Sequence, residues 1–351
     1  MIITIPSFGL GKTGGDRVLT VLANNLVKRG HAVNIVNLGK KLVPFELSKK
    51  VNLISVPFSA DKKDPVNFIF KGINKLSNNL PACDIYLANW VYTVLPCIAN
   101  NDKGKTVFLA QANEAKEFKK PSLKILNAIS YEAYKLNIPI ITPSSYLQKE
   151  IKTRFDNNAI IIPPFLNSNL FKPGKQKQKH EKLRLLFVSS NIKNKNKGFD
   201  ILLKACSNLK NMPFELHVAT QSDIDLKENK NIIIHKPKDD RELSEIYRNC
   251  DIFFHLSKEE GFGLTLLEAM ASGLVCVATD SGGINDFAIN NKNCLIVERS
   301  SKAVASMIRK IHKDFEFFQN NLTPFSIETA RIYTEEKMID SFEDLFAKTI
   351  A

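Results

Sequence analysis

The sequence lacks the features that define several large classes of protein. It contains no run of eighteen apolar residues, so no transmembrane helix is predicted. The first residues, MIITIPSFG, carry no basic region and offer only a five-residue stretch before Pro6. This pattern favours a first β-strand over a signal peptide, and we expect a cytoplasmic protein.

The six cysteines are scattered, and none has the C-x-x-C spacing of a metal or redox motif. Most of them stand in apolar runs. We therefore expect buried, reduced thiols and neither a disulfide framework nor a structural metal site. The cysteines are residues 83, 97, 206, 250, 276 and 294.

Acidic residues are too few to balance the lysines, and the net charge is +13. Such a charge favours polyanionic partners. No helix-turn-helix, zinc-finger or RNP pattern accompanies it, so no nucleic-acid partner is expected. An anionic membrane surface explains the charge, and so does a generally lysine-rich composition. The lysine-rich segment 40–75 has an apolar stripe at 68–73 that could lie on such a membrane or pack on the core.

The loop after the first predicted strand resembles two nucleotide-binding motifs and satisfies neither of them. A P-loop requires a glycine where Pro6 stands. Three glycines have the G-x-G-x-x-G spacing of a dinucleotide site, but the strand predicted at 32–38 ends without the required acid. These glycines, the whole basis for a nicotinamide-dependent dehydrogenase, are Gly9, Gly11 and Gly14.

Residues 251–283 form the most informative stretch of the chain. An apolar strand is predicted at 251–256, a helix at 264–272 and a second strand at 275–279, with glycines after both strands. A helix that begins after a glycine-rich loop presents free backbone N–H groups and a positive dipole end, which suits a phosphate. Glu260 and Glu268 bracket this anion site, and carboxylates there are best explained by sugar and ribose hydroxyls.

The run from Glu260 to Gly283 resembles the donor-binding motif of the retaining glycosyltransferases of family 4, the glycosyl transferases group 1. The shared elements are Gly-Phe-Gly, seven residues between paired glutamates, Glu-Ala-Met-Ala-x-Gly and a Gly-Gly turn. A second resemblance covers 14–36. The likeness implies an α/β protein of GT-B architecture, with two Rossmann-like domains facing each other across a cleft.

The resemblance also implies the domain boundaries. Residues 1–170 would form the acceptor-side domain and 183–330 the nucleotide-sugar-binding domain. Residues 171–182 are the predicted linker, because residues 172–182, KPGKQKQKHEK, are basic and polar and have no apolar periodicity. A final helix over 331–351 would cross back to the first domain.

Carried over to this chain, the family pattern assigns the donor site. Lys197, followed by glycine, would face the diphosphate. The arginine that relatives carry earlier in the loop is missing; Ser190 stands near its place, and Lys193 or Lys195 could compensate. Glu260 would hold sugar hydroxyls and assist catalysis with Lys197, while Glu268 would bind the ribose. The remaining predicted donor contacts are Gly14, Gly15, Gly261, Phe262, Gly263, Leu264 and Thr265.

The acceptor side departs from the family pattern. Many relatives place a histidine after the strand predicted at 107–110, where this chain has Gln111 or Asn113. The segment is similar to a sub-group with Gln-x-x-Glu at this point. Trp90, the single tryptophan, follows the neighbouring strand and is a further candidate because ligands gather at the carboxyl ends of parallel strands.

The expected function is retaining transfer of a sugar from a nucleotide-diphosphate-sugar to a hydroxyl of a glycan or lipid-linked acceptor. Cell-surface polysaccharide synthesis at the inner face of the membrane fits this activity. No cofactor is expected, and no metal either, because Lys197 and the helix dipole would neutralise the leaving group. The Asp-x-Asp at Asp223-Ile224-Asp225 lies in a polar stretch and is interpreted as a solvated loop. The alternatives are a GT-B epimerase or phosphorylase, the dehydrogenase, and a non-catalytic sugar-nucleotide-binding partner.

Overall fold

The computed structural model describes residues 1–11, 13–39, 45–61, 63–112, 114, 123–174, 181–209, 212–223 and 231–351. The chain divides into two compact units. The first comprises Met1–Pro163 with Glu336–Ala351, and the second comprises Pro164–Glu335. Each unit is built on one parallel β-sheet with helices, which confirms the α/β class.

The first unit contains a seven-stranded sheet in the order β3-β2-β1-β4-β5-β6-β7. Every observed pairing in it is parallel. Its strands are β1 (Ile2–Ser7), β2 (Ala32–Leu38), β3 (Asn52–Val56), β4 (Ile85–Ala88), β5 (Lys105–Leu109), β6 (Ile140–Thr142) and β7 (Ala159–Ile161). Its helices are α1 (Gly14–Lys28), α2 (Pro65–Ser77), α3 (Val91–Ile98), α4 (Lys124–Ala133), α5 (Ser145–Phe155) and, from the end of the chain, α11 (Glu335–Ile350). Strand β3 was not predicted, since its polar and apolar residues do not form a continuous buried run.

Helix α2 carries the apolar stripe that could have faced a membrane. Ile69 and Leu76 are buried, and Phe8 packs so closely on Gly72 that a β-carbon there would collide with its ring. Phe70 remains 43% exposed. Most of the stripe therefore belongs to the core of the first unit. No described helix is long and apolar enough to cross a bilayer.

The second unit contains a six-stranded parallel sheet in the order β10-β9-β8-β11-β12-β13. Its strands are β8 (Leu183–Val188), β9 (Phe214–Ala219), β10 (Ile232–His235), β11 (Ile252–His255), β12 (Val275–Ala278) and β13 (Leu295–Ile296). Its helices are α6 (Phe199–Ser207), α7 (Asp240–Arg248), α8 (Leu264–Ala271), α9 (Ser301–Lys313) and α10 (Phe315–Arg331).

Alternate residues of these strands enter two separate apolar layers, one on each face of the sheet. In β8, Leu185 and Phe187 join one layer and Leu186 joins the other. Strand β11 lies between β8 and β12, with Ile252 opposite Leu185. The loops that leave β8, β11 and β12 at their carboxyl ends are consequently neighbours, and this arrangement positions the candidate site.

The predicted linker, 171–182, lies in this second unit where it is described. Phe171 is 1% exposed and packs edge-on against Tyr247. Residues 175–180 of the linker lie outside the described residues. All six cysteines are free, and five of them are buried.

Candidate functional site

The loop that leaves β8 ends in a single 3-10 turn, Lys195–Lys197. The side chain of Asn194 caps this turn by accepting the N–H of Asn196 at 3.0 Å. Gly198 follows with φ +76°, and a β-carbon at this position would collide with the backbone oxygen of Leu256. Only glycine allows this left-handed turn and close approach, so Gly198 brings Lys197 against the loop that leaves β11.

Lys197 and Glu260 form a short ion pair. The Lys197 Nζ donates to Glu260 Oε1 at 2.5 Å, and Ser257 Oγ donates to the same oxygen at 2.6 Å. The Glu260 side chain is 16% exposed and that of Lys197 is 34% exposed. Burial alone would raise the pKa of Glu260, but Lys197, His255 and the two hydrogen bonds outweigh it and lower the pKa. Glu260 is therefore an anion at neutral pH.

His255 was missed by the sequence analysis, because a histidine at the end of an apolar strand has no motif of its own. It is 4% exposed, and its Nε2 lies 3.5 Å from Ser281 Oγ. Burial lowers the pKa of His255 to about 4, against a smaller opposing effect of Glu260. The imidazole is thus neutral at physiological pH and can exchange hydrogen bonds without adding charge.

Helix α8 begins at a glycine turn. Gly263 precedes it with φ +100°, and no side chain caps the helix. A β-carbon on Gly283 would lie 2.5 Å from the backbone oxygen of Gly261, so two chain segments meet here without side chains. Glu260 N–H also donates to the Ser281 oxygen at 2.9 Å. The first turn of α8 consequently presents backbone donors beside the Lys197–Glu260 pair.

Glu268 lies within α8 and is 1% exposed. The Tyr247 hydroxyl lies 3.1 Å from Glu268 Oε2 and 3.1 Å from the backbone oxygen of Thr265. Tyr247 is itself fully buried. The second glutamate of the motif is therefore held in place by a tyrosine from α7, a partner that no spacing rule could have indicated.

The other predicted donor residues of this unit occupy different environments. The side chain of Phe262 is 5% exposed and packs on Phe287 and Tyr333. Because the side chain is buried in this aromatic cluster, Phe262 could contact a donor only through its backbone. Leu264 and Thr265 are half-buried in the first turn of α8, whereas Ser190 is exposed at the end of β8. Lys193 and Lys195 are also exposed.

In the first unit, Gly14 and Gly15 open helix α1. Thr13 caps this helix, and its side chain and that of Asp16 form a reciprocal capping box. A β-carbon on Gly15 would lie 3.0 Å from both terminal atoms of Gln111, whereas one on Gly14 would meet nothing within 4 Å. Two predicted residues from distant parts of the sequence, Gly15 and Gln111, are thus in close contact.

Trp90 directly precedes α3, makes no side-chain capping hydrogen bond there and is half-buried. Its ring packs edge-on against Phe8 at 5.1 Å and Tyr92 at 4.6 Å between centroids. Trp90 is therefore largely a packing residue in an aromatic cluster. Asn113, the other acceptor-side candidate, lies outside the described residues.

The Asp-x-Asp segment shows an ion pair where it is described. Asp223 is exposed and pairs with Lys236, which lowers the pKa of the carboxyl. Asp225 lies outside the described residues. Within the described ranges no group of three or more histidine, cysteine or acidic side chains could hold a metal ion.

Comparison with known proteins finds glycosyltransferases. Residues 171–321 match the family model of glycosyl transferases group 1. Over 120 residues the chain is 31% identical to the UDP-N-acetylglucosamine--peptide N-acetylglucosaminyltransferase GtfA subunit of Streptococcus parasanguinis, covering 32% of this chain and 24% of that protein. It is 24% identical to an uncharacterized glycosyltransferase of Haemophilus influenzae, with 89% and 88% covered. The chain spans less than half the length of several curated relatives that it matches.

Two solved structures have the same fold at low sequence identity. Sucrose-phosphate synthase from Thermosynechococcus elongatus superposes with a TM-score of 0.82 at 14% identity, covering 99% of this chain and 98% of that chain. HepE of Anabaena, solved with UDP-glucose, superposes with a TM-score of 0.74 at 13% identity, covering 99% and 100%. The fold is GT-B, and residues 171–321 match the family model of glycosyl transferases group 1.

Proposed function

We propose that the protein transfers a sugar from a nucleotide-diphosphate-sugar to a hydroxyl of a glycan or lipid-linked acceptor, with retention of the anomeric configuration. The observation that carries this proposal is the Lys197–Glu260 ion pair beside the uncapped start of α8. A cation, helix N–H groups and a buried carboxylate in one place suit a ligand that has both phosphates and hydroxyls. The UDP-glucose complex of HepE, a protein of the same fold, supports a nucleotide-sugar donor.

In the proposed reaction, Lys197 and the backbone N–H groups of Gly263, Leu264 and Thr265 stabilise the charge that develops on the diphosphate as it departs. Electrostatic stabilisation of this kind is commonly the largest contribution to catalysis. Removing one such donor typically lowers turnover by about 10²–10³. These groups neutralise the leaving group, so the proposal requires no divalent metal.

Glu260 orients the sugar through its hydroxyl groups in this proposal. Because its pKa is lowered, it accepts hydrogen bonds as an anion and supports positive charge at the anomeric carbon. The acceptor oxygen attacks on the face that the diphosphate leaves, and the departing phosphate takes the acceptor proton. Glu268, oriented by Tyr247, is the proposed ligand of the ribose hydroxyls.

The proposed setting is cell-surface polysaccharide synthesis at the inner face of the membrane. The net charge of +13 supports attraction to an anionic bilayer or to phosphate-bearing acceptors. Exposed Phe70 on α2, next to Lys71, supplies one apolar contact point beside a basic one.

The first test is incubation of the pure protein with a panel of nucleotide-diphosphate-sugars in EDTA without acceptor. We expect one donor to raise the melting temperature and to release free nucleoside diphosphate slowly. Glu260→Gln should lower this release by about 10² or more, with a smaller effect on nucleoside diphosphate binding. Glu328→Gln, an exposed glutamate in the same unit, is the matched control and should behave as wild type.

Other outcomes would identify other functions. Interconversion of the donor without release of nucleotide would indicate an epimerase. Binding without cleavage, even with a set of candidate acceptors, would indicate a non-catalytic partner. Stabilisation by nicotinamide dinucleotides alone would refute the transferase, and loss of cleavage in EDTA with recovery in Mg²⁺ would refute metal independence.

A further inference from the structure

The side chain of Asn196 joins the two loops that carry the ion pair. Its Nδ2 donates to the backbone oxygen of Glu259 at 2.8 Å, and its Oδ1 accepts the Glu259 N–H at 3.1 Å. The backbone oxygen of Asn196 also accepts the N–H of Lys258 at 2.8 Å. Asn196 directly precedes Lys197, and Glu259 directly precedes Glu260, so this paired contact acts on the immediate neighbours of both charged residues.

Arg299, from the loop between β13 and α9, joins the same two loops at a second point. Its Nε donates to the backbone oxygen of Leu256 at 2.9 Å. Its Nη2 lies 2.8 Å from the oxygen of Lys195 and 3.3 Å from that of Asn196. One guanidinium thus spans both loops, and its planar fork holds the donors in a fixed arrangement.

None of the hydrogen bonds described for Asn196 or Arg299 involves the Nζ of Lys197 or the carboxylate of Glu260. In the described contacts, the side chains of both residues bind backbone atoms on either side of the pair. A lysine side chain has four rotatable bonds, and fixing it in one conformation has a large cost in conformational entropy. The place of its ammonium group relative to Glu260 therefore depends on how firmly the backbone beneath it is held.

We propose that Asn196 and Arg299 are positioning residues that hold Lys197 against Glu260 in the geometry needed for donor cleavage. The inference rests on the proposed function for its kinetic consequence, while its structural consequence can be measured without any nucleotide. Misplacement of a catalytic group by about 1 Å can cost about 10² in rate.

Three variants test the two contacts. Asn196→Ala removes the paired hydrogen bonds without changing the charge. Arg299→Ala removes the second link, and Arg299→Lys keeps its positive charge while losing the fork that reaches both loops. Arg309→Ala is the matched control, since Arg309 also donates to a backbone oxygen, that of Asn208, but away from the pair.

The kinetic result expected for Asn196→Ala and Arg299→Ala is a fall of about tenfold in kcat for donor cleavage. Binding of UDP should weaken by a smaller factor, because a flexible lysine still reaches a diphosphate. Arg299→Lys should resemble Arg299→Ala, and Arg309→Ala should resemble wild type. Wild-type kinetics in Arg299→Lys would assign the effect of Arg299 to its charge and would overturn its positioning role.

The second readout is the titration of Glu260 in nucleotide-free protein, followed by NMR of ¹³C-labelled glutamate and assigned with Glu260→Gln. Lys197, His255 and Ser257 are the groups that lower the pKa of this carboxyl against its burial. Loosening Lys197 should move the titration to higher pH in Asn196→Ala and Arg299→Ala. Unchanged titration and kcat in folded Asn196→Ala would overturn the proposal, and this variant carries the test where Arg299→Ala does not fold. If no donor is cleaved by wild type, the transferase proposal fails and the titration alone decides the positioning role.

Discussion

The Lys197–Glu260 pair allows a quantitative test of the electrostatics at the site. The perturbation is a double-mutant cycle of Lys197→Met, Glu260→Gln and the combined variant. Lys197→Met keeps much of the side-chain length but removes the cation 2.5 Å from the carboxylate. The buried carboxylate then retains the hydrogen bond from Ser257 and loses its principal counter-charge.

The size of the coupling follows from the exposure of the two side chains. Solvent-exposed ion pairs contribute about 0.2–1 kcal/mol, whereas truncating a buried pair costs about 2–5 kcal/mol. Glu260 is 16% exposed and Lys197 is 34% exposed, so the pair lies between these limits and solvent screens it partly. We expect a coupling free energy of about 1–2 kcal/mol near pH 7.

The pH dependence has a definite sign. The folded-state pKa of Glu260 is lowered from its ordinary value of 4.5, so its stabilising contribution is complete above pH 4.5 and is lost as pH falls through the lowered pKa. Urea unfolding of the four proteins from about pH 7 down to about pH 3.5 measures the coupling across this window. A coupling below about 0.3 kcal/mol near pH 7, or one that grows on acidification, would refute the reasoning.

Further perturbations test other parts of the site. Burial in the folded state lowers the pKa of His255 from 6.5 to about 4, so on acidification the unfolded chain binds this proton first. The free energy of unfolding should therefore fall by at most about 1.4 kcal/mol per pH unit as pH drops from 6.5 to about 4, and this fall should be smaller in His255→Asn. A stability difference between the two proteins that does not change with pH would contradict this. Gly263→Ala should lower the free energy of unfolding in urea by about 1–3 kcal/mol, because φ at this position is +100° and the added β-carbon would lie 2.5 Å from the Ile284 side chain. An unchanged free energy of unfolding would show that the turn can relax. Tyr247→Phe should cost about 1–3 kcal/mol by leaving Glu268 without this hydrogen bond, and unchanged stability together with unchanged UDP binding would remove Tyr247 from the site.

Several elements could be predicted from the sequence because their evidence is local. The strand–loop–helix–strand unit around Glu260 has apolar runs of the right length, a glycine before the helix and a glycine after it. Helix α8 accordingly begins at Leu264 and strand β12 at Val275, as expected. The final helix, predicted over 331–351, spans Glu335–Ile350. In contrast, β3 at Asn52–Val56 was missed because it has only one fully buried residue and no clear alternation.

The candidate site was predictable in part. Motif resemblance identified Glu260 and Lys197 separately, and the structure places them in direct contact. It gave no indication of Asn196 or Arg299, since a side chain that binds backbone oxygens leaves no spacing pattern. Phe262 belongs to the same motif, yet its side chain serves the core.

The amino-acid sequence alone determined the α/β class and the motif that carries the proposed chemistry. Both rest on local patterns, namely apolar periodicity, glycine positions and the spacing of the paired glutamates, which involve residues close together in the chain. Contacts between residues far apart in sequence were decided by the packing of parallel strands, which brings the loops after β8 and β11 together. The ion pair joins residues 63 positions apart, and Arg299 is 103 positions from Asn196. The pKa of Glu260 is lowered, against the effect of burial, mainly by Lys197, and His255 is neutral because it is buried. Both effects depend on the folded packing around these residues, which is why only the tertiary structure could reveal them.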